Sequence, residues 1–588
     1  MELAIHDRLY TTWSFTHLKD TDPVLAISSY INPLASRFFH GDIISTTGSL
    51  IHSPYQAQQA IPGVLILDGK TYGRKLEKSI STEKSISTKK STSISTGKFL
   101  YKCIPNDPAL PCFLIPYEEK VNTFSKKKIN KYITFKISEW TDKHPTGQLT
   151  HTLGDVTQPE QYYHYQLCCK YLQQPITTFT RETMAKLNPL NKTTIAEQIR
   201  TYQNGNIEDR RQEHIFSIDP PGCKDVDDAL GLRIVDKHHS IISIYIANVA
   251  LLLDYLQLWS VCSERVATIY LPNEKIPMLP NILGDCLGSL LEGTDRIAFC
   301  LDLYTTDATV VKIAFKPVLI QVRKNYVYEE EALLRNKTYG QLLAVTKTLA
   351  KQYTYVDHVT DSHELVEFYM IFMNYESSKQ LLHRQTGIFR SAQFHPPTPA
   401  PEQTPLPSIL SKDMRTFLKN YTLSQCHYCT SDQVLSHDLI GAGVASYVHI
   451  TSPIRRLVDL LNLIEMQGDY VSPEAKSFSA KWHKRISYIN TTMKAIRKVQ
   501  NNCLLLHTYM SKTVEDSHYT GLLFAKTLLH PDAGTGIIYK YSVYIPALKM
   551  VSTLKTERDF DNYRTVVVST HLFLEEDNIV KKIRLQLV

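Results

Sequence analysis

The 588-residue sequence lacks any uninterrupted apolar run of the roughly 20 residues that a membrane-crossing helix needs. Its most apolar stretch, residues 241–259, is broken by Asn248, Asp254 and Gln257. A buried strand and helix are expected there, and no membrane association. The opening MELAIHDRLYTTW has no basic segment leading into an apolar one, so no signal peptide is expected, and an intracellular protein, cytoplasmic or nuclear, is. Regular cysteine spacing is also missing. The 11 Cys are odd in number and scattered, which argues against a disulfide-built secreted scaffold. The only CxxC, Cys426 to Cys429, has no second ligand pair at zinc spacing. A strong excess of one charge is absent too: 65 Lys and Arg against 58 Asp and Glu leave +7. That balance permits an acidic partner without demanding one. With 43% apolar and 21% charged residues, the chain is neither disordered throughout nor a coiled coil. At roughly 150 residues per domain, about four domains are expected.

Two segments punctuate the chain. Residues 78–98 repeat a Lys-Ser-Ile-Ser-Thr unit with too few apolar residues to offset ordering, and read as a surface insertion. Residues 395–407, HPPTPAPEQTPLP, are kept extended by proline. Before about residue 190 the pattern is of short strands and frequent turns, suggesting small barrels. From about 195 to 512, strands mix with long helices, notably 363–383 and 479–510. After 515 short strands return. The expected fold class is multidomain α+β. It has a β-barrel region at 1–98, a second barrel at 99–190, a large mixed domain at 191–514 and a terminal barrel at 515–588.

The sharpest feature is HIFSIDPPGCKDVDDALGL, residues 214–232. A strand ends at Asp219, Pro220-Pro221-Gly222 force a tight loop, and Asp225, Asp227 and Asp228 follow. Four carboxylates in ten residues, against Lys224 alone, repel unless cations compensate. Mg²⁺ takes carboxylate oxygens, and paired ions on clustered carboxylates act on phosphodiesters. An exposed acidic turn is the plainer alternative, but it has no need of apolar strands on both sides. An EF-hand fails because Ala229 and Leu230 stand where a ligand and a glycine belong.

The second feature is YVHITSPIRRLVDLLN, residues 447–462. Thr451, Ser452 and Pro453 read as a helix entry, which places Arg455 and Arg456 in a first turn. Cations are unfavourable there unless an anion is gripped by arginines and helix N–H groups together. Two solvated arginines are the alternative.

Together, DPPGCKDVDDA and YVHITSPIRRLVDLL resemble the two signature regions of the ribonuclease II / ribonuclease R (RNB) exoribonucleases. The Asp offsets of 0, 6, 8 and 9 from Asp219 match that family's tetrad. YLPNEKIPMLPNILGDCLGSLLEGTDRIAF, LVEFYMIFMN and IFRSAQFHPP add to the likeness. EWTDKHPTGQLTHTLGD is similar to a cold-shock barrel of the exosome-nuclease branch. The resemblance implies cold-shock-like OB barrels, a central RNB domain and a terminal S1-like OB barrel. It also implies a monomeric 3′→5′ hydrolytic exoribonuclease that releases nucleoside 5′-monophosphates from single-stranded RNA. Two Mg²⁺ ions, or Mn²⁺ in their place, would serve it, and there is room for association with an exosome-like core. Carried over, Asp219, Asp225 and Asp228 are metal ligands. Asp227 is the catalytic carboxylate, also near metal. Arg455 meets the scissile phosphate, and Arg456 and Arg390 contact RNA. Tyr328 stacks on the terminal base, although Tyr326 alternates onto the same face.

Departures from the family pattern leave a second reading open. Tyr245-Ile-Ala-Asn248 stands where the family has His-Ile-Ala-Asp. Tyr245 can still stack on a base, but a carboxylate is lost. Ala495-Ile496-Arg497 replaces Ala-Glu-Arg. An RNA-binding protein without turnover would fit these changes. For the RNA path, Lys126, Lys127, Lys128, Lys131 and Tyr132 are candidates, as are Tyr541, Tyr544, Lys581, Lys582 and Arg584.

Overall fold

The computed structural model describes residues 1–16, 31–45, 47–58, 60–75, 97–118, 128–353, 359–391, 414, 426–433, 446–511, 518–529, 537–548, 550–575 and 579–588. The repeat segment, apart from its last two residues, and the proline-rich segment lie outside them, as does Lys127. Among the described residues, no helix is long and apolar enough to cross a membrane. The chain divides into two units: Met1–Gln173 with Leu271–Asn273 and Lys498–Val588, and Gln174–Tyr270 with Glu274–Arg497.

The second unit is built on a mixed seven-stranded sheet. Its strands are β1 (Glu208–Asp209), β2 (Ile215–Asp219), β3 (Asp228–Ile234), β4 (His239–Ala247), β5 (Asp295–Thr306), β6 (Thr309–Gln321) and β7 (Lys324–Val327), in the order β1-β6-β5-β4-β3-β2-β7. β4 lies at the centre, and residues 241–247 are buried without a break, as a β-branched run covered on both faces should be. Two pairings set the site. β3 runs antiparallel to β4, with Asp228 opposite Ile246. β7 runs parallel to β2, with Asp219 opposite Val327, so Tyr328 follows directly beside Asp219.

Inside this sheet a charged pair is enclosed. Arg210 donates from Nη1 and Nη2 to Asp302 at 2.8 and 2.7 Å, and Ser243 Oγ donates to the same carboxylate at 2.7 Å. Asp302 is fully buried and Arg210 is 3% exposed. Burial alone would raise the Asp302 carboxyl, but these hydrogen bonds outweigh it and hold it down at about 2.

The helices of this unit include α1 (Val249–Tyr255), α2 (Ser362–His383), α3 (Leu457–Met466), α4 (Pro473–His483) and, up to Arg497, α5 (Ile486–Met510). The expected helix over 363–383 is α2, capped by Asp361 through the Glu364 N–H. The helix expected over 479–510 is instead two, interrupted at Lys484 and Arg485. Helix entry after Thr451 also differs. α3 begins at Leu457, with extended Arg456 as its cap residue. The N–H groups of Ser452 and Ile454 go to the carboxylates of Asp459 and Asp227 at 2.8 and 3.0 Å. A turn therefore replaces the first helical turn.

The first unit holds β modules. Glu2–Ile5, Trp13–Thr16, Ile43–Ile44 and Leu50–His52 form a four-stranded sheet. In the next sheet Ile61–Leu65 pairs with both Lys131–Glu139 and Lys98–Pro105, which closes it into a barrel. The boundary expected at 98/99 therefore falls within one sheet, and the repeat segment interrupts that barrel rather than preceding it. His518–Leu529, Ile538–Ile545, Met550–Thr556, Thr565–Glu575 and Val580–Leu587 form a closed five-stranded barrel. Tyr132, packed against Tyr162 and Tyr165 of the helix Pro159–Cys169, and Tyr541, in the core of the terminal barrel, are fully buried, not the surface platforms that their sequence context suggests. Lys131 is paired with Asp155.

Candidate active site and cationic groove

Three strand ends and one turn converge on the acidic loop. Asp219 closes β2, Asp228 opens β3, Tyr328 follows β7, and the turn before α3 brings Arg455. Arg455 Nε donates to Asp227 Oδ2 at 3.0 Å, and the Ile454 N–H donates to Oδ1 at 3.0 Å. Asp227 is 3% exposed. Burial pushes its carboxyl up to about 7, although Arg455 pulls the other way. Asp219 is raised by burial, and Ser217 Oγ donates to it at 2.7 Å. Asp228 stands well above the carboxylate range because of burial and its neighbours Asp219 and Asp227.

Asp225 is held differently. It accepts from Tyr270 Oη at 3.0 Å and from Lys275 Nζ at 3.2 Å, and Lys275 also meets Asp285 at 2.7 Å. The oxygen-only, acid-rich donor set has the chemistry of a hard-cation site. The arrangement divides it. Asp227 is engaged by Arg455 and Asp225 by Lys275, which leaves Asp219 and Asp228 as the mutually repelling pair. Among the described residues, no three His, Cys, Asp or Glu side chains stand together as a ligand group for one ion.

Arg455 keeps 44% of its side chain exposed, and its Nη2 donates to Ser452 Oγ at 3.1 Å. The guanidinium is thus anchored on one edge and open on the other, as a group that meets an incoming anion should be. Arg456 turns the other way. Its Nη2 donates to the buried Asp459 at 2.8 Å, while its buried Nε has no hydrogen-bond partner among the described residues.

Arg456 also lines a groove of about 780 Å³ with Arg390, His427, His449, Lys494 and Arg497. Among the described residues, no carboxylate lines it. Arg390, on strand Ile388–Ser391, reaches His449 Nε2 at 3.2 Å and donates to Cys426 Sγ at 3.3 Å. Arg390 and Arg456, which stand in different sequence motifs, therefore share one basic wall. The other members carry no motif of their own, although Lys494 and Arg497 have the i, i+3 spacing of one helix face. Pairing of 388–391 with 427–430 places His427, and the hydrogen bonds of Asn490 with the Tyr428 backbone bring the helix of Lys494 and Arg497 alongside; neither contact has a local signal.

Tyr245 does not meet the expectation of a stacking contact. It is fully buried in β4 beside Gly231 of β3, and its Oη donates to Glu213 at 2.8 Å. No ring face is open to a base. Asn248 is a structural residue that caps α1 and exchanges amide hydrogen bonds with Gln467 at 2.6 and 3.1 Å. Ile496 is buried at 5% exposure. Tyr326 is 9% exposed and accepts from Asn336 Nδ2, so of the two tyrosines Tyr328 is the more accessible.

Residues 207–355 match the family model described as RNB domain. The exosome complex exonuclease RRP44 of Homo sapiens is 23% identical over 388 residues, 54% of this chain and 39% of that protein. Exosome complex exonuclease dis3 of Schizosaccharomyces pombe is 33% identical over 127 residues, 21% of this chain and 13% of that protein. The chain thus matches less than half the length of these relatives. In fold, it is similar to Mycoplasma genitalium RNase R solved with ribose-methylated single-stranded RNA. The TM-score is 0.64 at 15% identity, over 94% of this chain and 95% of that one. Yeast Ssd1, described as a pseudonuclease, gives 0.52 at 13% identity, over 86% and 66%. The aspartate motif lies inside the matched segment and the fold delivers Arg455 to it, so residues 207–355 are identified as an RNB domain.

Proposed function

We propose that the chain is a 3′→5′ hydrolytic exoribonuclease that shortens single-stranded RNA to nucleoside 5′-monophosphates. The observation that carries this reading is the contact of Arg455 with Asp227. It joins two motifs 228 residues apart at one end of the sheet. In the proposed mechanism Asp219 and Asp228, with Asp225 and Asp227 beside them, would hold Mg²⁺, or Mn²⁺ in its place, which would supply an activated water. The open edge of Arg455 binds the scissile phosphate. Asp227 orients Arg455 and serves as the catalytic carboxylate. The basic groove holds backbone phosphates, and the barrels add aromatic-cation pairs such as Arg74 over Phe99 at 4.2 Å and Arg584 over Phe573 at 3.4 Å.

A second reading, RNA binding without turnover, is supported by one observation. Lys275 and Arg455 occupy two of the four carboxylates, and no three-ligand group is assembled among the described residues. Incubation with 5′-labelled single-stranded RNA in Mg²⁺ or EDTA, alongside Asp227→Asn, separates the two. Stepwise 3′ shortening by the unaltered chain only in Mg²⁺ supports hydrolysis. Tight binding with no shortening in any divalent ion supports the second reading. Co-purification with a multisubunit core would test assembly of the kind that the names of its exosome relatives imply.

A further inference from the structure

Tyr328 does not stand alone beside the aspartates. Its ring lies parallel to that of His363, with centroids 3.8 Å apart and planes 5° apart. His363 is the second residue of α2 and is exposed, so the pair forms a two-ring stack at the surface of the site. The Tyr328 N–H donates to the Asp219 carbonyl at 3.3 Å. The stack is therefore tied to the end of the acidic loop.

The chain between the two rings is also built for this placement. Glu329 holds a left-handed backbone at φ 56°, which is uncommon for a residue with a Cβ and persists only where surroundings enforce it. The enforcement comes from Ser362, the fully buried first residue of α2. Ser362 donates from N–H and Oγ to Glu329 Oε1 at 2.9 and 2.5 Å, and the Glu329 N–H donates to Ser362 Oγ at 3.2 Å. These three hydrogen bonds fasten the residue after Tyr328 to the residue before His363.

We propose that His363 and the Glu329–Ser362 clasp are positioning residues that fix the Tyr328 ring as the end stop for the 3′-terminal base. His363 covers one face of Tyr328 and prevents the ring from turning, so a base stacks only on the opposite face, in one place relative to Asp219 and Asp228. The inference rests on the exoribonuclease reading for its substrate, single-stranded RNA. Its consequence is a specificity one: the clasp sets how firmly the terminal nucleotide is seated and at what length degradation stops.

The test compares His363→Ala, His363→Phe and Glu329→Gly with the unaltered chain. Glycine accepts the positive φ without strain, so Glu329→Gly removes the two hydrogen bonds to the carboxylate without forcing the backbone. Loss of base positioning in His363→Ala and Glu329→Gly should raise KM for short RNA by about 5- to 10-fold, leave kcat within about 2-fold and shift the final product length. His363→Phe, which keeps a flat ring, should restore KM and product length. A role limited to folding would lower the melting temperature without dividing KM from kcat. A second readout needs no turnover: RNA ending in 3′-2-aminopurine, bound to Asp227→Asn, should be quenched by stacking. That quenching should be lost when His363→Ala is added and regained with His363→Phe. Unchanged KM, product length and quenching in His363→Ala would overturn the inference while leaving the functional reading intact. Bound RNA that is never shortened by the unaltered chain would overturn that reading while the quenching still decides the stack. RNA that does not bind would overturn both.

Discussion

Arg455 and Asp227 share a hydrogen bond at 3.0 Å although one stands in a turn before α3 and the other in the loop before β3. Asp227 is enclosed and Arg455 is open on its far edge. Arg455→Lys keeps the charge but loses the planar fork that meets a carboxylate and a phosphate together. Removal of such a donor from a reacting phosphate should lower kcat by about 10²- to 10³-fold with RNA binding nearly retained. Single-turnover cleavage beside filter binding measures both.

Tyr245 and Tyr328 should behave oppositely. Tyr245→Phe removes only the hydrogen bond to Glu213 and should cost about 0.5–1.5 kcal/mol of stability, with RNA affinity unchanged. Tyr328→Ala should weaken binding of a 3′ end by about 1–3 kcal/mol, the worth of one stacked base. Urea unfolding and RNA titration of the two variants make the comparison.

That contrast shows what is legible in the sequence. Asp219 to Asp228, Arg455 and Tyr328 are marked by local motifs, and the motif residues do converge. Tyr245 is misread from its motif because its strand sits at the centre of the sheet, a position fixed by pairing with β3 and β5 rather than by its own residues. The helix start at Leu457 is hidden because two carboxylates, Asp227 and Asp459, take the N–H groups that a helix entry would leave open. Lys275 carries no local signal for a related reason: 50 residues separate it from Asp225, and only the fold makes them neighbours.

The basic groove should bind backbone rather than sequence. Lys494→Ala and Arg497→Ala should each weaken binding by similar factors on unrelated RNAs. Each should also reduce the slope of log K against log salt by about 0.7, the value for one single-strand phosphate contact. Affinity measured between low and moderate salt tests this, and a loss confined to one RNA sequence would contradict it.

The enclosed Arg210–Asp302 pair should govern acid stability. The Asp302 carboxyl is held at about 2, below its unfolded value near 4. Its stabilising contribution is therefore complete above about pH 4 and is lost as pH falls toward 2. Asp302→Asn leaves the buried Arg210 with only the more exposed Glu208 and Glu213 as counter-ions and should cost up to about 3–5 kcal/mol at neutral pH. Replacement of both, Arg210→Met with Asp302→Leu, should cost much less than the single changes together. Thermal unfolding at pH 6 and pH 3 checks the pair, since the double variant should lose the acid-dependent part of the difference.

Lys275 bears most directly on the choice between an active and an inactive enzyme. Its ammonium lies 3.2 Å from Asp225 and 2.7 Å from Asp285, and so takes up carboxylate charge that a divalent ion would otherwise use. If the four aspartates bind Mg²⁺, Lys275 competes with it, and Asp225 must leave the lysine for the ion. Lys275→Met removes the competitor without adding a ligand. In the exoribonuclease reading, half-maximal activity should then need several-fold less Mg²⁺, because a positive charge near the ion is gone. In the binding-only reading, the same change leaves the protein without cleavage at every Mg²⁺ concentration. A Mg²⁺ titration of RNA shortening by the two proteins therefore tests the carboxylates as an ion site through the residue that now holds one of them.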